Sequence, residues 1–156
     1  MRPALLLLAL LAGCSDAPPP DAVAPEAETS GAVSAGGLAV TDGYARAAPA
    51  GGVAGVFFRV ENADGVADTL VAARTAAAER VEVHRTTETA DGMRGMEPVA
   101  GVPLPPGGAV AFEPGGLHVM LMGLRRDLAP GDTVVVDLDF ARGPTLALPA
   151  HVRGLE

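Results

Sequence analysis

Cysteine is almost missing from this chain: Cys14 is the one cysteine in 156 residues. A domain beyond it has no thiol and no disulfide and must be stable through its core. That shortage argues against a blue-copper electron-transfer centre, which needs a thiolate. It argues equally against a cysteine-built zinc site or nucleophile. Tryptophan and lysine are absent and aromatics are 3% of residues, so the core must be built from Val, Leu and Ala. Arginine as the sole basic side chain besides histidine reads as high-GC genome bias, not as function. Positive charge is also short. The net charge of -8 opposes nucleic-acid binding, which wants a basic face. An acidic surface repels phosphates and keeps an exported protein soluble.

Long apolar runs are lacking too. The stretch 4–12 is apolar but short of the roughly 20 residues that span a bilayer. It follows Met1-Arg2-Pro3 and leads into Leu11-Ala12-Gly13-Cys14. A charged start and a short apolar core mark a secretory signal, and the last four residues resemble the bacterial lipobox. The resemblance implies cleavage after residue 13 and a lipid on Cys14. It places the protein at the periplasmic face of a membrane. Ser15, not Asp, follows the cysteine, which favours the outer membrane over the inner one in a Gram-negative cell. Residues 14–36 are rich in Pro, Ala and acids without periodicity, as expected of a disordered tether. Residues 37–156 are then one domain.

What the domain does have is alternation. Val56, Phe58 and Val60 alternate with Phe57 and Arg59; Val81 and Val83 with Glu82 and His84; Val134, Val136, Leu138 and Phe140 with Val135, Asp137 and Asp139. Gly/Pro/Asx turns at 49–52, 62–65, 105–108, 114–116 and 130–132 separate the runs. Short strands at this spacing predict an all-β, antiparallel sandwich. The alanine-rich residues 75–80 could form at most one helical turn.

It also has a cluster of soft donors. Apart from Met1, every methionine (Met93, Met96, Met120, Met122) lies between residues 81 and 124, as do His84 and His118; only His151 lies outside. A single methionine more often fills core gaps, and a lone histidine is more often structural. Clustering points elsewhere: thioether and imidazole together suit Cu(I) and serve hard cations poorly. Alternation puts Leu117, Val119 and Leu121 on one face and His118, Met120 and Met122 on the other. Glu82, His84 and Thr86 likewise oppose Val81 and Val83. The two histidines form a near-surface site if their strands are neighbours. Met96, in Asp91-Gly92-Met93-Arg94-Gly95-Met96-Glu97-Pro98, is expected in a loop or hairpin.

Eleven residues separate His84 from Met96, twenty-one separate Met96 from His118, and one separates His118 from Met120. With Ala45-Arg46, Asn62, Asp68, Leu70, Met96-Glu97-Pro98-Val99 and Pro114-Gly115-Gly116-Leu117-His118-Val119-Met120-Leu121-Met122-Gly123-Leu124, this spacing resembles the periplasmic PCu(A)C copper chaperone family. The run 128–136, with Pro130-Gly131-Asp132-Thr133, also looks like the family. The resemblance implies a cupredoxin-like Greek-key β-sandwich binding Cu(I) through His84, Met96, His118 and Met120, with Met93 and Met122 as auxiliary candidates. It implies delivery to the copper centre of cytochrome c oxidase subunit II, often beside a Sco-type protein. Four neutral protein ligands leave no open position for substrate, so no enzymatic activity is expected. Arg85 stands where many members have methionine. Residues 150–156 carry one histidine, His151, where some members have a His- and Met-rich tail. Two other readings compete. A metal-free, lipid-tethered β-sandwich interaction module would leave His84 and Met96 far apart. A copper redox enzyme would need an exchangeable ligand position, which Met122 or Met93 swinging away could supply, but no Asp, Glu or Ser is evidently placed beside the metal in a catalytic arrangement.

Overall fold

The computed structural model describes residues 31–88 and 90–154. The proposed signal, Cys14 and most of the tether lie outside the described residues. Eleven strands follow in chain order: β1 (Gly31–Ala35), β2 (Leu38–Arg46), β3 (Val53–Asn62), β4 (Asp68–Arg74), β5 (Ala78–Glu88), β6 (Arg94–Pro98), β7 (Val102–Leu104), β8 (Ala109–Phe112), β9 (Leu117–Leu124), β10 (Thr133–Phe140) and β11 (Leu146–Arg153). No helix occurs among the described residues; 75–77 form a turn leading into β5. β1 lies inside the stretch expected to be tether. It pairs with β2, so residues 31–35 belong to the sheet and not to a tether.

Alternation makes the core. Val134, Val136, Leu138 and Phe140 are buried on β10, as are Val56, Phe58 and Val60 on β3 and Val119 and Leu121 on β9. The strands run β6-β5-β9-β8-β3-β2-β11-β10-β4-β7, with β9 also paired to β3. β4 meets β5 as the sheet folds back on itself. Non-sequential neighbours such as β5–β9 and β2–β11 supply the crossovers of a Greek key. The antiparallel expectation needs correcting in two places: β11 runs parallel to β2, and β8 parallel to β9. A long stretch of chain between β2 and β11 permits the first; the second is the bridge Phe112–Leu117 across the short turn 113–116.

Two buried polar side chains fasten the loops at one end. Asn62 Nδ2 donates to the Val66 and Leu104 carbonyls at 2.9 and 3.2 Å, and its Oδ1 accepts from the Asp64 amide at 3.0 Å. Asp68 accepts from the amides of Thr69, Arg142 and Gly143. Each satisfies backbone groups that burial would otherwise strand. These are structural roles for two residues that contribute to the family resemblance.

A bulge decides what faces outward. The β2–β3 register slips between Thr41 and Tyr44, and Asp42 takes φ 58°. One extra residue reverses the alternation of the strand. Tyr44, in phase with buried Leu38 and Val40, therefore emerges on the outer face and stacks on Phe57 at 5.0 Å.

Candidate metal centre

His84 and His118 are direct cross-strand partners on β5 and β9. Their ring centroids lie 6.1 Å apart with planes at 72°. One rung along, Glu82 faces Met120, and beyond that Arg80 faces Met122. On the other side of β5, Thr86 pairs with Met96 of β6. Met96 is thus on an edge strand of a hairpin, not in an irregular loop, and its side chain is exposed.

A surface cavity of about 280 Å³ is lined by Met96, His118 and Met120 together with Thr86, Phe57 and Arg46 among others. Gly55, opposite Met120, keeps its floor open: a Cβ there would come within 2.9 Å of the Phe57 ring. Phe57 faces outward yet is 6% exposed, because Tyr44, Arg46 and His118 cover it. The turn before β9 places His118. Gly115 adopts φ 85°, a left-handed conformation that favours glycine.

The hydrogen bonds of the two imidazoles differ. A carbonyl oxygen only accepts, so His118 Nδ1 donates to Gly116 O at 3.1 Å and Nε2 keeps its lone pair. His84 Nε2 lies 2.8 Å from Glu82 Oε2. With the carboxylate accepting, Nδ1 of His84 keeps the lone pair, and that buried nitrogen has no partner. A stranded buried acceptor is costly; a bound cation would satisfy it. Each ring therefore keeps one free lone pair; His118 lines the thioether-bearing cavity, whereas His84, its cross-strand partner, does not, and its free Nδ1 is buried behind it. The donor set fits a soft monovalent metal.

The sequence expectations fare unevenly. Neighbouring strands for the two histidines, required for one site, are present. His118 is more enclosed than an outward row suggests, at 6% exposure, since Phe57 packs beside it. Glu82 stands beside the ligand set on the strand face of His84, as the alternation of β5 predicts. Its place was legible: two residues before His84, on the same strand face. Met122 does not line the cavity; its Sδ accepts a hydrogen bond from Arg80 at 3.2 Å. Met93 lies in the exposed turn before β6 and does not line the cavity either. His151 pairs in register with Tyr44 and contacts Thr133 Oγ1, away from the cavity. His84 and Met96 lie on adjacent paired strands, contrary to the metal-free alternative. Phe57 and Arg46 are cavity residues that the pattern of donors did not reveal.

The fold and the cross-strand donor cluster define a cupredoxin-like β-sandwich of PCuAC type. The LpqE-like family profile matches residues 38–152, and the chain belongs to that family. A relative in Leifsonia xyli subsp. xyli (strain CTCB07), Lxx21020, named as a lipoprotein, is 33% identical over 76% of this chain and 71% of its own. The solution structure of CuI-DR1885 from Deinococcus radiodurans is 32% identical, with a TM-score of 0.55, over 73% of this chain and 78% of that one. The copper-bound PCuAC domain from PmoF2 shares the fold at a TM-score of 0.67 and 22% identity, over 80% of this chain and 98% of that one. The PCuAC resemblance read from residue spacing is borne out.

Proposed function

We propose that the protein is an extracytoplasmic copper chaperone that binds Cu(I) through His84, Met96, His118 and Met120. The observation that carries this reading is the His84–His118 pair, with a free imidazole nitrogen on each ring, beside a cavity shared by Met96 and Met120. The PCuAC-type relatives whose structures hold copper support the metal. Two imidazoles and two thioethers are neutral and soft, which favours Cu(I) over harder ions. Four protein ligands leave no position for a substrate, so the copper is cargo and not the centre of an enzyme.

Exposure of Met96 suits delivery. A thioether on an edge strand can release copper to an incoming donor atom while both histidines still hold it. The receiver fitting the family is the copper centre of cytochrome c oxidase subunit II or a Sco-type thiol protein. A lipid on Cys14 would hold the carrier at the periplasmic face of its membrane, and the lipoprotein name of the Leifsonia relative supports that anchoring.

Anaerobic Cu(I) titration of the chain against a chelator of known affinity tests the reading. One tightly bound copper is expected, with affinity lost in His118→Leu. A wild-type chain that leaves all copper on the chelator overturns it.

A further inference from the structure

Glu82 stands between two partners. Its Oε2 meets His84 Nε2 at 2.8 Å, and its Oε1 meets Arg80 Nε at 3.4 Å. Arg80 in turn donates to Met122 Sδ. A chain of polar contacts thus runs Met122–Arg80–Glu82–His84 along one row of β5 and its β9 partners. Both carboxylate oxygens are engaged, so the group is held in orientation and not merely nearby. Glu82 also faces Met120 across the ladder.

Resting on the copper-carrier reading, we propose that Glu82 is the positioning residue of this site. It holds His84 in the tautomer whose Nδ1 donates to Cu(I), and it supplies the negative charge that the four neutral ligands lack. The geometry favours this donor atom: Nε2 is engaged by the carboxylate, while Nδ1 is buried and unpartnered. His118 has the opposite assignment, since Gly116 O takes its Nδ1 proton and leaves Nε2 for metal. The centre therefore uses a Nδ1 donor from one strand and a Nε2 donor from the other. Partners of this kind fix ring orientation and raise ligand basicity. The same row turns the Met122 sulfur toward the Arg80 guanidinium, which Glu82 contacts in turn.

Silver(I), a spin-½ and redox-inert probe, reports the donor atoms directly. The full chain labelled with ¹⁵N and loaded with Ag(I) should show silver–nitrogen coupling on Nδ1 of His84 and Nε2 of His118. Coupling on Nε2 of His84 overturns the proposal while leaving the carrier reading intact. No coupling on either ring overturns the carrier reading itself. Glu82→Ala should weaken Ag(I) and Cu(I) binding about 10–100-fold, the usual range for such outer partners, and let His84 exchange tautomers. Glu82→Gln keeps an acceptor for Nε2 and removes the charge, so it should preserve the tautomer and lose less affinity. Unchanged affinity and an unchanged His84 tautomer in Glu82→Ala overturn the proposal.

Discussion

His84 and His118 face each other across the β5–β9 ladder, with ring centroids 6.1 Å apart. Cross-strand neighbours have Cβ atoms about 5 Å apart, so two imidazoles on one rung need little side-chain rearrangement to share an ion. The site is built into the register. A slip of one residue between β5 and β9 would send either donor to the opposite face.

Protons compete with copper for both imidazoles, because a ring nitrogen must be unprotonated to ligate. Cu(I) affinity should be nearly flat in alkaline solution and fall on acidification, with a limiting slope approaching two protons per copper. His84→Met should remove about one proton from that slope, since methionine does not titrate. Chelator competition measured across pH checks this; a binding constant indifferent to pH would remove the histidines from the ligand set.

Metal choice should follow ligand softness. Cu(I) and Ag(I) should bind far more tightly than Zn(II). Among the described residues no group of three His, Cys, Asp or Glu side chains could hold a metal, which leaves zinc few ligands. Met96→Ala should weaken Cu(I) binding with little change in thermal stability, because Met96 is exposed at 59%. Parallel titrations with the three ions decide the matter, and comparable zinc affinity at neutral pH would exclude Met96 and Met120.

Asn62→Ala should destabilise the fold by about 1–3 kcal/mol, the usual cost of leaving buried backbone groups unpaired. Asn62 lies at the opposite end of β3 from Gly55, so copper affinity should hold. A thermal melt of the apo-protein beside a Cu(I) titration separates the two effects. A variant with wild-type melting temperature would show that solvent replaces those hydrogen bonds without loss.

Anchoring is expected to depend on one atom, the Cys14 sulfur. Replacing Cys14 with Ser should release the protein from the membrane fraction while leaving copper binding by the domain unchanged. Fractionation of cells expressing each form gives the answer, and unchanged membrane association would rule out lipid at that position.

Much of the site is legible in the order of residues, and for a physical reason. A strand has a period of two, so His118 and Met120, which flank Val119, must share a face. The same rule puts Glu82 and His84 together. A short, alternating pattern carries its own geometry. Irregularities do not. The alternation of β2 places Tyr44 inward with Leu38 and Val40, and only the bulge at Asp42 turns it outward onto Phe57. Nor does local pattern reveal that β11 runs parallel to β2, since strand direction depends on a long connection.

The sequence by itself determined which donors are at hand: one cysteine, clustered methionines and two well-spaced histidines, a set that suits a soft ion. It also determined the faces, because burying Val and Leu rows forces the donors outward. Tertiary structure alone decided the rest. Pairing of β5 with β9 set the two histidines on one rung, and β6 brought Met96 alongside. The fold also chose which nitrogen of each ring stays free, through Glu82 Oε2 for one and the Gly116 carbonyl for the other. Register and hydrogen-bond partners are long-range properties of the folded chain. They arise only when strands distant in sequence come within about 5 Å of each other.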